Sequence, residues 1–139
     1  MTIKFDPRKV VVSFNNVPLS GFGPGTFIEI TRRKPIAALE ELGADGEGAF
    51  VISGDHSYEI TLTLMISSPS NTTLSQFARA TAMGAPVVGP FNTKDLSMSA
   101  LFDAEEAMIT GTPPWVRSGG DKLGSNVWEF SAKKGTESQ

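Results

Sequence analysis

The chain contains no cysteine. That excludes a disulfide framework, a thiol nucleophile and a thiolate-held metal. It fits a reducing compartment. There is a single histidine, His56, which leaves too few imidazoles for a transition-metal site. A basic excess is missing too: the formal net charge is −3. Lysine and arginine are scattered, in no run longer than Arg32-Arg33-Lys34 beside Pro35. Proteins that grip nucleic acid present a basic patch, so this composition argues for non-adhesion. No apolar run approaches the roughly 20 residues that span a bilayer, and insertion into a membrane is not expected. Residues 1–12 carry charges where a signal peptide needs an apolar core. The reading is a soluble protein, made and kept inside the cell.

What is present is enough for a core. At 139 residues and 40% hydrophobic, the chain suits one domain spanning 1–139, with loose N- and C-terminal segments. Repeats and low-complexity segments are absent.

The most informative stretch is Ser57 to Met83. Tyr58, Ile60, Leu62, Leu64 and Ile66 alternate with Glu59, Thr61, Thr63, Met65 and Ser67. Strict period two predicts a strand with one greasy and one polar face. Ser68-Pro69-Ser70-Asn71 breaks it, with Ser70 or Asn71 as the expected helix N-cap. Leu74, Phe77, Ala78, Thr81 and Ala82 then recur at helical spacing, and Gly84 and Pro86 supply a stop. The short helix should pack back on the strand, with Ile60, Leu62, Leu64, Leu74 and Phe77 as the contact.

Elsewhere strands are expected at Lys9 to Phe14, Thr26 to Arg33, Pro86 to Thr93, within Asp95 to Phe102, at Ala104 to Thr110 and at Val127 to Ala132. Pro90 marks its strand as an edge or a bulged one. Ala37 to Leu42 favours helix by propensity. The following Gly43-Ala44-Asp45-Gly46 is hairpin-turn chemistry, so the segment is read as a long protruding hairpin. Lys133 to Gln139 is read as a polar tail. The sum is a mainly antiparallel β-sandwich or barrel-like sheet with one helix and one wet face. Its edges need partners.

No constellation suggests catalysis or calls for a cofactor. Asp55-His56-Ser57 are neighbours, and neighbours in an extended chain point to alternate faces, so they make no triad. Glu40-Glu41 and Glu105-Glu106 should split across two faces and form no carboxylate pair. The glycine-rich Ser20 to Gly25 lacks the lysine and hydroxyl of a phosphate loop. Trp128 alternates with Phe130 on a core-like face. Trp115, after Pro113 and Pro114, is the more exposed, and a monomeric β-sandwich that binds a ligand there is an alternative.

Gly54 to Leu74, GDHSYEITLTLMISSPSNTTL, resembles tail tube proteins of contractile-tailed bacteriophages, through its Thr/Leu strand and Ser-Pro-Ser-Asn turn before a helix. The Gly43-Ala44-Asp45-Gly46 turn, Lys94-Asp95-Leu96, Ala104 to Ile109 and Trp128-Glu129-Phe130 extend the resemblance along the chain. It implies a non-enzymatic subunit of a virion tail, assembled in the bacterial host cytoplasm. Subunits of that kind form six-membered rings with one ring-wide β-barrel, stacked into a tube inside a sheath. The implied partners are further copies, the sheath, the baseplate, the terminator and DNA passing through without specific binding. The inner tubes of phage-like bacteriocins and type VI secretion machines are the neighbouring alternative. On this reading Glu59, Thr61 and Thr63 line the lumen, the hairpin tip Ala44, Asp45 and Gly46 contacts the next ring, and the helix faces outward.

Overall fold

The computed structural model describes residues 4–40, 43–117, 119–120 and 124–139. A single twisted sheet dominates it. After a 3-10 turn at Pro7–Lys9, capped by the Asp6 carboxylate, come β1 (Val10–Phe14) and β2 (Val17–Leu19). They form a hairpin whose two loop residues, Asn15 and Asn16, both have positive φ. That is the geometry a tight hairpin needs, and asparagine tolerates it. β3 (Ile28–Arg32) follows, then a separate ribbon of β4 (Ala37–Glu40) and β5 (Ala49–Ile52). Next are β6 (Tyr58–Met65), α1 (Ser70–Ala82), β7 (Gly89–Asp95), β8 (Ala100–Gly111), β9 (Ser125–Lys133) and β10 (Thr136–Ser138). The main sheet runs β2-β1-β7-β8-β9-β6-β3, with β10 also on β8, and every pairing is antiparallel.

The core lies on one face of this sheet. Tyr58, Ile60, Leu62 and Leu64 from β6 are buried, beside Trp128, Phe130 and Ala132 from β9. Phe14, Phe91 and Phe130 stack edge to tilted, with centroids 5.1–6.4 Å apart. α1 covers this face. Leu74 is wholly buried, and half-buried Phe77 meets Phe14 edge-on at 5.7 Å.

The helix is not capped as its sequence suggests. Its N-cap is Pro69, which makes no side-chain cap bond. Ser70 and Asn71 have other partners. The Ser70 hydroxyl accepts from the Ser20 N–H at 2.9 Å, and the Ser68 hydroxyl donates to the Ser20 carbonyl. The Asn71 amide donates to the Met65 carbonyl at 2.8 Å and accepts from the Trp128 indole at 3.0 Å. The Ser-Pro-Ser-Asn turn is thus a hydrogen-bonded clamp joining strand, helix and the glycine loop. Gly21 lies against it with φ +76, and a Cβ there would come within 2.6 Å of Ser68. Only glycine fits. The same turn ends β6 at Met65, two residues before the alternation does, as the Ser68 N–H bonds the Met65 carbonyl.

Several expectations need correcting. Of the two alternatives for the strand of Pro90, the irregular one holds and the edge does not: the register shifts between Gly89 and Phe91, and the strand is internal, between β1 and β8. The two strands expected between Asp95 and Thr110 are one, β8. Gly89 pairs Ala107 while Phe91 pairs Ala104, so β8 holds an extra residue. Glu105 and Glu106 are therefore both exposed instead of alternating. The polar tail is not loose: Thr136–Ser138 pairs Leu101–Asp103 of β8, in the same register as β9. The helix-prone segment is β4, hairpin-bonded to β5 as read, although Glu41 and Leu42 lie outside the described residues. At the other end, residues 1–3 of the loose N-terminal expectation also lie outside them.

Candidate functional site

Opposite the core, β6 presents Glu59, Thr61 and Thr63, the first exposed and the threonines half-buried. Register extends this face sideways. Thr61 pairs Glu29 of β3 on one side and Glu129 of β9 on the other. Glu59 likewise sits between Thr31 and Ser131, and Ser131 pairs Met108 of β8. Cross-strand partners share a face, so four strands carry one continuous polar surface. Glu29, Thr31, Glu129 and Ser131 were not singled out from the sequence. Their own strands signalled them by alternation, but their adjacency to Thr61 and Glu59 is set by pairings remote along the chain.

The surface is acidic. Glu29, Glu59, Glu106 and Glu129 face two cations, Arg33 at 3.7 Å from Glu59 and Lys133 at 4.0 Å from Glu106. Both pairs are well exposed and so contribute little to stability. Glu29 and Glu129 have no ion pair among the described residues. Apolar side chains interrupt the face at Met108, at Val127 opposite Thr63, and at Met65 opposite Ser125. Thr63 is also flanked by the glycine loop, whose Gly23 N–H donates to the Thr63 carbonyl at 3.0 Å.

The β4–β5 ribbon is a second surface, standing apart from the main sheet. Leu39 pairs Phe50 and Ala37 pairs Ile52, which puts these four on one face. Phe50 is 78% and Ile52 79% exposed, and Ile36, Leu39 and Val51 are exposed too. The tip, Ala44, Asp45 and Gly46, is exposed. Its turn closes with the Gly46 N–H on the Gly43 carbonyl and the Glu47 N–H on the Asp45 carboxylate. A two-stranded ribbon with an apolar face is marginal alone in water.

At the ribbon's base the Asp-His-Ser sequence forms no relay. The Asp55 carboxylate accepts from the Ser57 hydroxyl at 2.6 Å and the Ser57 N–H at 2.9 Å. These bonds, with Lys34 and Arg33 nearby, hold its pKa below the usual carboxylate range. His56 is exposed, and its Nδ1 lies 3.4 Å from Arg32, which donates to the Tyr58 hydroxyl at 2.8 Å.

The sheet also has open edges. β2 ends one side and carries Pro18, and it covers only Val12 to Phe14 of β1. β3 ends the other side, with no strand beyond it among the described residues.

No protein-family model matches the chain, and no curated protein matches it either. Solved structures do. A chain of the anti-feeding prophage cap, a tube-terminating cap, superposes with a TM-score of 0.68 at 10% identity, over 100% of this chain and 93% of that one. A chain of the PVC sheath/tube terminator, from an extracellular contractile injection system, gives 0.69 at 11% identity over 99% of each. One from the PVC sheath-tube complex gives 0.66 at 12%, over 97% and 91%. At such identities the likeness is one of fold. The fold is that of tube and tube-terminating components of contractile injection systems, the class of assembly the sequence resembles.

Proposed function

We propose that this chain is a structural subunit of a contractile phage-type tail tube. Copies join edge to edge, β3 of one to the β1–β2 edge of the next, and the sheets close into a ring-wide barrel of six subunits. The acidic, hydroxyl-rich face with Glu59, Thr61 and Thr63 points inward and lines the lumen. A lumen poor in cations lets DNA pass without adhesion, since each lysine or arginine near phosphate adds attraction. The arm, with Ala44, Asp45 and Gly46 at its tip, bridges to the next ring. Sheath, baseplate and terminator meet the assembly outside and at its ends. The role is mechanical and needs no catalytic group.

The observation that carries this reading is the arm. It offers an apolar face that its own chain leaves uncovered, on a fold shared with tube proteins. A surface that complements a different surface of another copy is heterologous, and such contacts build rings or helical filaments.

The fold neighbours favour a second reading. They belong to injection systems, and two are described as terminators or caps. The chain would then serve the inner tube, or its end, in a phage-like injection device with another cargo. Negative-stain electron microscopy of the concentrated protein tests both. Stacked hollow tubes support a repeated subunit, single rings that do not stack support a terminator, and monomers at every concentration overturn the assembly.

A further inference from the structure

We propose that the groove between α1 and residues 112–117 binds an acidic segment of a partner protein. The groove encloses about 580 Å³. Thr72, Ser75 and Arg79 of α1 form one wall, Pro114 and Trp115 the other, and Trp128 lies at its floor. Among the described residues that line it two are charged, Arg79 and Arg117, both cationic, and none carries a carboxylate. That contrasts with a chain of net charge −3 and with the acidic sheet face.

Both arginines are available. Neither has an ion pair among the described residues. The Arg117 guanidinium lies over the Trp115 ring at 4.7 Å and donates to the Val116 carbonyl at 2.9 Å. Trp115 is 83% exposed. An exposed tryptophan beside arginines is the composition that dominates binding energy at protein interfaces. Pro113 and Pro114 hold it on stiff backbone, so little freedom is lost on binding. Two cations are few for nucleic acid, which favours a longer basic track. Arg79 sits in the last turn of α1, where the carbonyl end of the helix repels dense negative charge. A carboxylate-bearing peptide suits this better than phosphate. The inference rests on the tube reading only for its placement: the groove opens on the helix side, away from the polar face.

The test titrates the full chain with a synthetic helical peptide of glutamates and leucines, followed by tryptophan emission. Both tryptophans line the groove, Trp115 exposed and Trp128 buried, so the Trp115→Phe variant separates their contributions to a shift. A saturable blue shift is expected, weakened by salt, and lost in Trp115→Phe, whose remaining Trp128 emission checks the fold. Arg79→Glu/Arg117→Glu should weaken binding about tenfold, and a lysine-for-glutamate peptide should not bind. The proposal is overturned by no saturable binding, by equal affinity in the double variant, or by tighter binding of oligothymidylate than of the peptide. Electron microscopy of the same samples keeps the two readings apart. Binding without rings retains the groove and sinks the tube; rings without binding do the reverse.

Discussion

Phe50→Ala isolates the arm. Full burial of a phenylalanine side chain stabilises by about 1.5–3 kcal/mol. In the monomer Phe50 leaves 78% of its surface in water, so most of that gain is still to be had on assembly. Truncation to alanine then costs roughly 2 kcal/mol per arm contact, and a tenfold change in an equilibrium constant is about 1.4 kcal/mol. The critical concentration for tube formation should rise about thirtyfold. The monomer's melting temperature should hold within a degree or two, since little packing is lost. Sedimentation of a dilution series gives the first quantity and calorimetry below the critical concentration the second. An unchanged critical concentration with a lower melting temperature would refute the reasoning, because Phe50 would then pack within its own chain.

Three further outcomes follow from the same geometry. Asn71→Ala leaves the buried Trp128 indole N–H without its partner and should cost about 1–3 kcal/mol, read as a lower melting temperature and a red-shifted Trp128 emission. If the proposed lumen face is right, Thr61→Arg with Thr63→Arg should leave assembly intact yet cut the infectivity of particles about tenfold or more, because phosphates would then meet cations; unchanged infectivity would refute that placement. Asp55 has a lowered pKa, so its contribution is complete above the ordinary carboxylate value and is lost as pH falls through the lowered one. A carboxyl NMR titration should show the Ser57 amide moving with Asp55, and Asp55→Asn should abolish that acid step.

Legibility in the sequence followed how local each signal was. β6 and β9 could be read residue by residue, since their alternation is strict and their faces follow from period two. The arm was legible through Gly43 to Gly46, because turn geometry outweighs the weak helix preference of Ala37 to Leu42. β8 was split in two at Asp103, a charged residue inside the continuous strand, while the actual irregularity, the register shift at Glu105-Glu106, lies within the second expected segment. β10 was missed outright: Thr136-Glu137-Ser138 has no apolar residue to mark it. The N-cap was misplaced because Ser70 and Asn71 bond to partners 50 and 57 residues away. The polar face was seen on β6 alone, for the flanking Glu29 and Glu129 become its neighbours only through strand order.

The last strand depends on Gly135. A methyl group there would come within 2.4 Å of the Tyr58 ring and 2.8 Å of Phe102, two aromatics that meet edge-on with centroids 4.9 Å apart. The chain can cross this aromatic step only by carrying nothing. Any larger residue would lift Thr136–Ser138 away and bare the Leu101–Asp103 stretch of β8. An unpaired backbone row would then open in the middle of the sheet, where a stranger's strand could dock. A single hydrogen atom at this position thus keeps Leu101–Asp103 of β8 paired.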